Sequence, residues 1–226
     1  MYTKKINKKP LLTVLAMVLV CVISVMGTMA YLAQTTDAVV NTFAAASLID
    51  PNDGQFTLKE HTIEQKQDGS YVIPENAGET NQNSYTVYPG VTLPKDPFVR
   101  IEKFTGEEAY LFIEVEDTTS SELTFIIDDE NWTELESAAL PTRVDVTEGS
   151  TRTIYVYKIK EETADATKVT ADISAINILK DKQVTVDEKA TLENLGAVKF
   201  YGYLLQATGF TSAAEAWNAV YGATTE

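Results

Sequence analysis

Only one cysteine occurs in the chain, Cys21, and it sits inside an apolar run near the N terminus. Everything after that run lacks a thiol, which excludes disulfides and thiolate chemistry from the main body. Histidine is equally scarce. His61 stands alone, so the two histidines of an H-E-x-x-H zinc site are not there, and a Ser-His-Asp arrangement would have to use this one imidazole. Its surroundings, KEHTIEQ, offer Glu60 and Glu64 but no second imidazole, and a histidine on a surface strand is the plain expectation. Basic residues are few as well: 18 Lys and Arg stand against 33 Asp and Glu. That balance excludes nucleic acid as a partner, because phosphate recognition depends on clustered positive side chains. No internal repeat, no low-complexity tract and no glycine-rich phosphate-binding loop occurs. No cofactor is called for.

What is present begins with the N terminus. The first ten residues carry Lys4, Lys5, Lys8 and Lys9 and no acid, and Leu11 to Met29 then run for nineteen residues without a charge. A basic start, an apolar run and small residues at its end make a signal peptide. Thr28 and Ala30 occupy the −3 and −1 positions for a cut before Tyr31, with Leu32 just beyond. The alternative is an uncleaved anchor, since nineteen apolar residues just reach the ~30 Å of a bilayer core. Cys21 as a lipoprotein cysteine is disfavoured by Val20 before it and by its place midway along the run. The expected organisation is therefore a signal segment over 1–31 and a domain over 32–226, secreted or held at the cell surface, touching the membrane only through the leader. Without its leader the chain keeps fourteen basic residues against thirty-three acids, a net charge of −19.

The body reads as strands. Two mixed runs flank Asp68-Gly69, a signal for a two-residue hairpin, and SYTVYPG ends in a turn at Pro89-Gly90. Apolar and polar residues alternate over 98–104 and 109–116, the period of half-buried strands. Segments 123–128, 153–159 and 199–207 are rich in β-branched and aromatic residues, which suit a pleated surface. Many short strands with Gly or Pro turns predict a mainly β chain, an antiparallel jelly-roll or immunoglobulin-like sandwich with one or two short helices. Ser212 and Glu215 form a capping box for a helix from Ala213 to Tyr221 that carries Trp217 against the sandwich, with Gly222 as its stop. A second short helix is possible over 188–194.

Other motifs carry little chemistry. With thirty-three acids, carboxylate pairs suitable for glycoside hydrolysis are unavoidable and uninformative. Asp50-Pro-Asn-Asp53-Gly54 and Asp128-Asp129-Glu130-Asn131 are oxygen-rich, but neither has the spacing of an EF-hand loop, and turns are the expectation for both. Leu140-Pro141-Thr142-Arg143 matches half of a wall-sorting pentapeptide, without the glycine or the hydrophobic tail that anchoring needs.

Several landmarks together resemble a known group. Met29-Ala30-Tyr31-Leu32, then Thr35-Thr36-Asp37 and Asn41-Thr42-Phe43, are similar to the leader junction of proteins processed by the specialised signal peptidase SipW. Ala46 or Ser47 stands where that group usually has glycine. Tyr88 to Pro97, containing Lys95-Asp96-Pro97, resembles the group's P-G-x-[TS]-[IL]-x-K-D-P segment, and Ala109–Val115 its following strand. Leu205-Gln-Ala-x-Gly-Phe210, with Trp217 after it, is similar to the tail of members from gut Clostridia. The chain thus resembles the TasA/camelysin-type biofilm matrix proteins of Gram-positive envelopes. That resemblance implies a sandwich fold and, for some members, fibres built by donating an N-terminal strand to the next subunit. The metallopeptidase classification of camelysin-like members is not carried over, given one histidine.

Strand donation also has a physical basis in the residues. An incomplete sandwich leaves an unpaired edge that a partner's extended segment completes. Residues 32–50 are the natural donor, with Val40, Phe43 and Leu48 available for pockets; the alternative is that this segment serves as the first strand of its own sandwich. The expectation is a non-enzymatic matrix subunit whose partners are copies of itself or related subunits, besides the signal peptidase that processes it. A monomeric envelope binding module or adhesin is the second reading, and a secreted hydrolase the third.

Overall fold

The computed structural model describes residues 33–35, 48, 55–158, 168–192 and 195–222. Fifteen strands are present among them. The first seven are β1 (Ala33–Thr35), β2 (Gln55–His61), β3 (Glu64–Gln65), β4 (Tyr71–Val72), β5 (Glu79–Thr80), β6 (Thr92–Pro94) and β7 (Phe98–Glu102). The rest are β8 (Ala109–Asp117), β9 (Leu123–Thr124), β10 (Trp132–Glu134), β11 (Thr151–Tyr157), β12 (Lys168–Val169), β13 (Ile173–Asn177), β14 (Gln183–Val186) and β15 (Val198–Gln206). Helix α1 (Ala213–Tyr221) follows.

All pairings are antiparallel, and the chain is mainly β, as its alternating patterns predict. The main sheet has the order β1-β15-β8-β11-β10, with β12 also on β8. A second sheet runs β13-β7-β2-β5, and a small third one β6-β14-β9. Between the first two lies the principal core, where Leu111, Ile113 and Val115 of β8 and Phe200 and Leu204 of β15 meet Phe56, Val99, Ile101 and Ile176. At one side the sandwich is sewn shut: Trp132 Nε1 donates to the Asn177 carbonyl at 2.8 Å, and Asp128 N and Lys180 N bond across to Ile178 and Ile126. At the other side β15 lies against β2.

A third layer covers the outer face of the main sheet. Alternation in β8 and β15 turns Phe112, Tyr203 and Leu205 outward, and α1 closes over them with Ala213, Ala216 and Trp217 buried. Trp217 packs on Phe112 and Tyr203, with ring centroids 4.8 and 5.1 Å away, and donates Nε1 to the Ala139 carbonyl at 2.7 Å. The helix starts as its sequence predicts: the Ser212 hydroxyl accepts from Glu215 N at 3.2 Å. The reciprocal arm is displaced by one residue, because the Glu215 carboxylate takes Thr211 N and Oγ1 instead.

Three expectations need correction. The turn at Asp68-Gly69 is a three-residue loop: Lys66 N bonds Ser70 O, Gly69 N bonds Lys66 O, and Gly69 takes φ +85°. Such loops place a glycine in the left-handed region before the ladder resumes. Residues 188–192 are not helical: Asp187 opens a single turn there, accepting Lys189 N on its side chain and Ala190 N on its carbonyl, and the chain does not continue it. Strand β8 is not half-buried. Every residue from Ala109 to Glu116 is buried, because both faces of the main sheet are covered.

Candidate functional site

On the outer face the apolar layer under α1 gives way to charge. The residues facing outward next along β8 are Glu114 and Glu116, and both are fully buried. Opposite them in register stand Tyr201 and Lys199 of β15, with Ile154 and Arg152 of β11 on the other flank. The segment 139–147 crosses above and inserts Arg143. Its Nη2 reaches Glu116 Oε2 at 2.5 Å and Glu114 Oε1 at 3.2 Å, while its guanidinium carbon lies 3.4 Å from the centre of the Tyr201 ring. Arg152 Nε pairs with the same Glu114 oxygen and Arg152 Nη2 donates to Pro141 O. Tyr203 donates to Glu114 Oε2 at 2.6 Å. Glu116 Oε1 receives Thr147 N at 2.9 Å and Lys199 Nζ at 3.2 Å. Asp145, half exposed, accepts from Arg143 and from the Tyr201 hydroxyl.

Three cations therefore meet three carboxylates in a shielded space. Burial works against ionisation of Glu116, but the side-chain and backbone hydrogen bonds from Thr147, with Lys199 and Arg143, bring its carboxyl down to about 2. Burial raises Tyr201 to about 12 and pushes Tyr203 higher still, with Glu114 adding to the effect, so both phenols stay neutral donors. A set of this kind gives little net stability over an apolar filling, yet losing one member costs about 3–5 kcal/mol because a buried charge is stranded.

A second constellation sits where the sandwich is not sewn shut. A cleft of about 380 Å³ opens between β2, β15 and the third sheet, walled by Leu58, Leu93, Leu123, Val184, Val198 and Phe200. Carboxamides Asn81, Gln82 and Asn83 and the Glu60–Lys95 pair line its polar side. Glu60 is buried, bonds Lys95 Nζ at 2.7 Å and accepts Asn83 N at 2.8 Å. Tyr85 donates to Pro94 O at 2.6 Å; burial, then the charges of Glu60 and Asp96, raise its pKa so that it remains a donor. Next door, Asp96 clamps His61 twice, accepting the backbone N at 3.0 Å and facing Nδ1 at 2.6 Å. The Lys95-Asp96 step thus supplies the counter-ion for Glu60 and the carboxylate that holds His61.

The residues singled out in the sequence are distributed as follows. His61 ends β2 with its side chain about one-third exposed and paired to Asp96. Among the described residues no group of three His, Cys, Asp or Glu is placed to hold a metal. Asp128 to Asn131 form a turn in which Asp128 binds Glu130 N and the Asn131 side chain, and Asp129 pairs with Lys180. Leu48 is fully buried in the chain's own core, and its carbonyl accepts from Thr105 N. Val40 and Phe43, the loop 50–54 and the junction Thr28, Ala30, Tyr31 and Leu32 lie outside the described residues. The sequence reading missed the ionic cluster. Glu114 and Glu116 alternate with apolar residues in the manner of a solvent face, and Arg143 lies in a stretch that drew notice only as a sorting-like tetrapeptide. The one available signal was a pair of glutamates inside the most apolar strand of the chain. No family model, curated protein or solved structure matches this chain.

Proposed function

We propose that this chain is an exported, non-enzymatic protein of a Gram-positive-type cell envelope or extracellular matrix, a structural subunit that associates by β-strand donation. The observation that carries the reading is the margin of β15. Described strand β1 lies along Leu205 to Tyr203, and farther along, Phe200 to Val198 border the cleft between β2, β15 and the third sheet, on its apolar wall. An extended segment laid along that margin gains main-chain hydrogen bonds, and its alternate side chains gain apolar pockets. The chemistry-bearing groups support contact over turnover: Glu60, His61, Glu114 and Glu116 are each tied to a counter-ion or donor within the chain.

Leu48 already fills the protein's own core, which leaves Val40 and Phe43 as the donor side chains in this reading. The test is electron microscopy and light scattering of the chain starting at Tyr31, across a series of pH and calcium concentrations. Net charge of −19 opposes close stacking, so fibres form more readily in salt, acid or divalent cations. Phe43→Asp abolishes them and leaves a folded monomer. A wild-type chain that stays monomeric throughout discards strand donation. The second reading, a monomeric binding module, draws on the carboxamides along the same cleft and requires that a soluble ligand or wall polymer be retained by the monodisperse chain.

A further inference from the structure

The segment 139–147 crosses the main sheet as an extended strap that belongs to no strand. Alternate positions tie it down: Ala139 to Trp217, Pro141 to Arg152, Arg143 to two glutamates, Asp145 to Tyr201 and Thr147 to Glu116. Of the positions between them Leu140, Thr142 and Val144 face solvent, Val144 fully, while Val146 is half-buried. Among the described residues no ladder of main-chain bonds joins the strap to the sheet: side chains of the sheet and of α1 grip the strap's Ala139 O, Pro141 O and Thr147 N, with the Arg143 guanidinium at the centre.

The receptor for that guanidinium is built largely without the strap. Glu114 and Glu116 stand on the doubly covered strand β8 and are oriented by Tyr203, Arg152 and Lys199. The Tyr201 ring gives a flat face for a planar cation. With the strap in place but the Arg143 side chain gone, Glu114, Glu116 and the strap's own Asp145 face Arg152 and Lys199, one negative charge in excess; with the strap lifted, Glu114 and Glu116 are left in balance with Arg152 and Lys199. Arg143 fills this place imperfectly: its Nε is buried with no hydrogen-bond partner among the described residues. A guanidinium not constrained by the strap's backbone can reorient against the same carboxylates and ring.

We propose that this is a guanidinium-binding site held closed in cis, and that an arginine side chain from a partner chain can displace Arg143 and free the strap. The site differs from the cleft beside β15, and the inference stands or falls apart from strand donation.

Two arms test it. In the first, Arg143→Ala lowers the melting temperature, and millimolar ethylguanidinium restores at least half of the loss, whereas ethylammonium at equal ionic strength does not. Arg143→Ala combined with Glu116→Gln loses that rescue. Equal effects of the two cations, or none, overturn the cradle. In the second, which needs no variant, N-acetyl-arginine amide at tens of millimolar is added to the wild-type chain and amide exchange is followed at residues 139–147. Severalfold faster exchange, the Thr147 amide included, with β8 unchanged, supports displacement. Exchange that is unaffected, or equally affected by N-acetyl-lysine amide, overturns it. Should Arg143→Ala fail to fold, the second arm alone decides.

Discussion

Tyr203 donates its hydroxyl to Glu114 at 2.6 Å, and neither side chain has contact with solvent. The ring of Tyr203 belongs to the aromatic cluster under α1, with Trp217 and Tyr221 at 5.1 and 5.5 Å, while its oxygen belongs to the ionic cluster. One residue thus couples the apolar and charged halves of the outer layer. Tyr203→Phe keeps the ring contacts and removes one of the donors to a buried carboxylate. The expected cost is about 1.5–3 kcal/mol, the range for hydrogen bonds to charged groups, read from urea unfolding.

Glu116 gives the protein an acid-sensitive element. Its carboxyl falls from 4.5 to about 2 on folding, so the unfolded chain takes up the proton first. Stability from this group is complete above pH 4.5 and is lost as pH drops toward 2. The shift corresponds to roughly 3 kcal/mol. Unfolding free energies measured from pH 6 to pH 2 fall accordingly. Glu116→Gln is less stable at neutral pH and flattens that slope.

Gly196 is held by its backbone. Its φ is +76°, and a Cβ there would lie 2.0 Å from the Thr118 carbonyl oxygen, in the turn that feeds β15. Left-handed backbone in a residue other than glycine costs roughly 1–3 kcal/mol before any clash is counted. Gly196→Ala is therefore destabilised by several kcal/mol. Gly106→Ala, also at positive φ (+89°) but with nothing within 4 Å of the added carbon, shows the milder conformational cost alone.

The terminal helix allows a graded test. Ser212→Ala removes the cap on Glu215 N and lowers stability by about 1 kcal/mol. Trp217→Ala empties a fully buried site and strips the Ala139 carbonyl of its donor, for about 3–5 kcal/mol. Both values come from thermal or denaturant unfolding, and the large gap between them separates helix propensity from packing.

The sequence made the longer strands legible through alternation or through runs of β-branched and aromatic residues. The strands around Val99 and Ile113 fall where alternation places them, that around Phe200 where β-branched and aromatic residues gather, and α1 begins just after its capping serine. Strands β12 to β14 did not register, since two of them have at most four residues and β13 is broken by a bulge between Ile173 and Ile176. The ionic cluster was illegible for another reason. A glutamate that alternates with isoleucine and valine looks the same whether water or a strap lies above it, and Arg143 lies 27 residues from Glu116 with no periodicity linking them. The clamps on His61 and Glu60 were hidden likewise, because their counter-ions arrive from 35 residues away. A turn was legible where hydrogen bonding is local, as at Asp128, whereas at Asp68 the turn was placed correctly but its loop length was not.

The anchoring of Leu48 has a mechanical consequence. Tension applied from the N-terminal side reaches the sandwich through two contacts of very different kind. The three ladder positions of β1 lie at the rim of the main sheet, whereas Leu48 is wedged in the interior with its carbonyl latched to Thr105. A load from the N-terminal side peels the rim first and then pulls directly on the β7–β8 turn, where Thr105 lies. Leu48, more than the short β1 ladder, is therefore the contact that resists extraction of this segment under load.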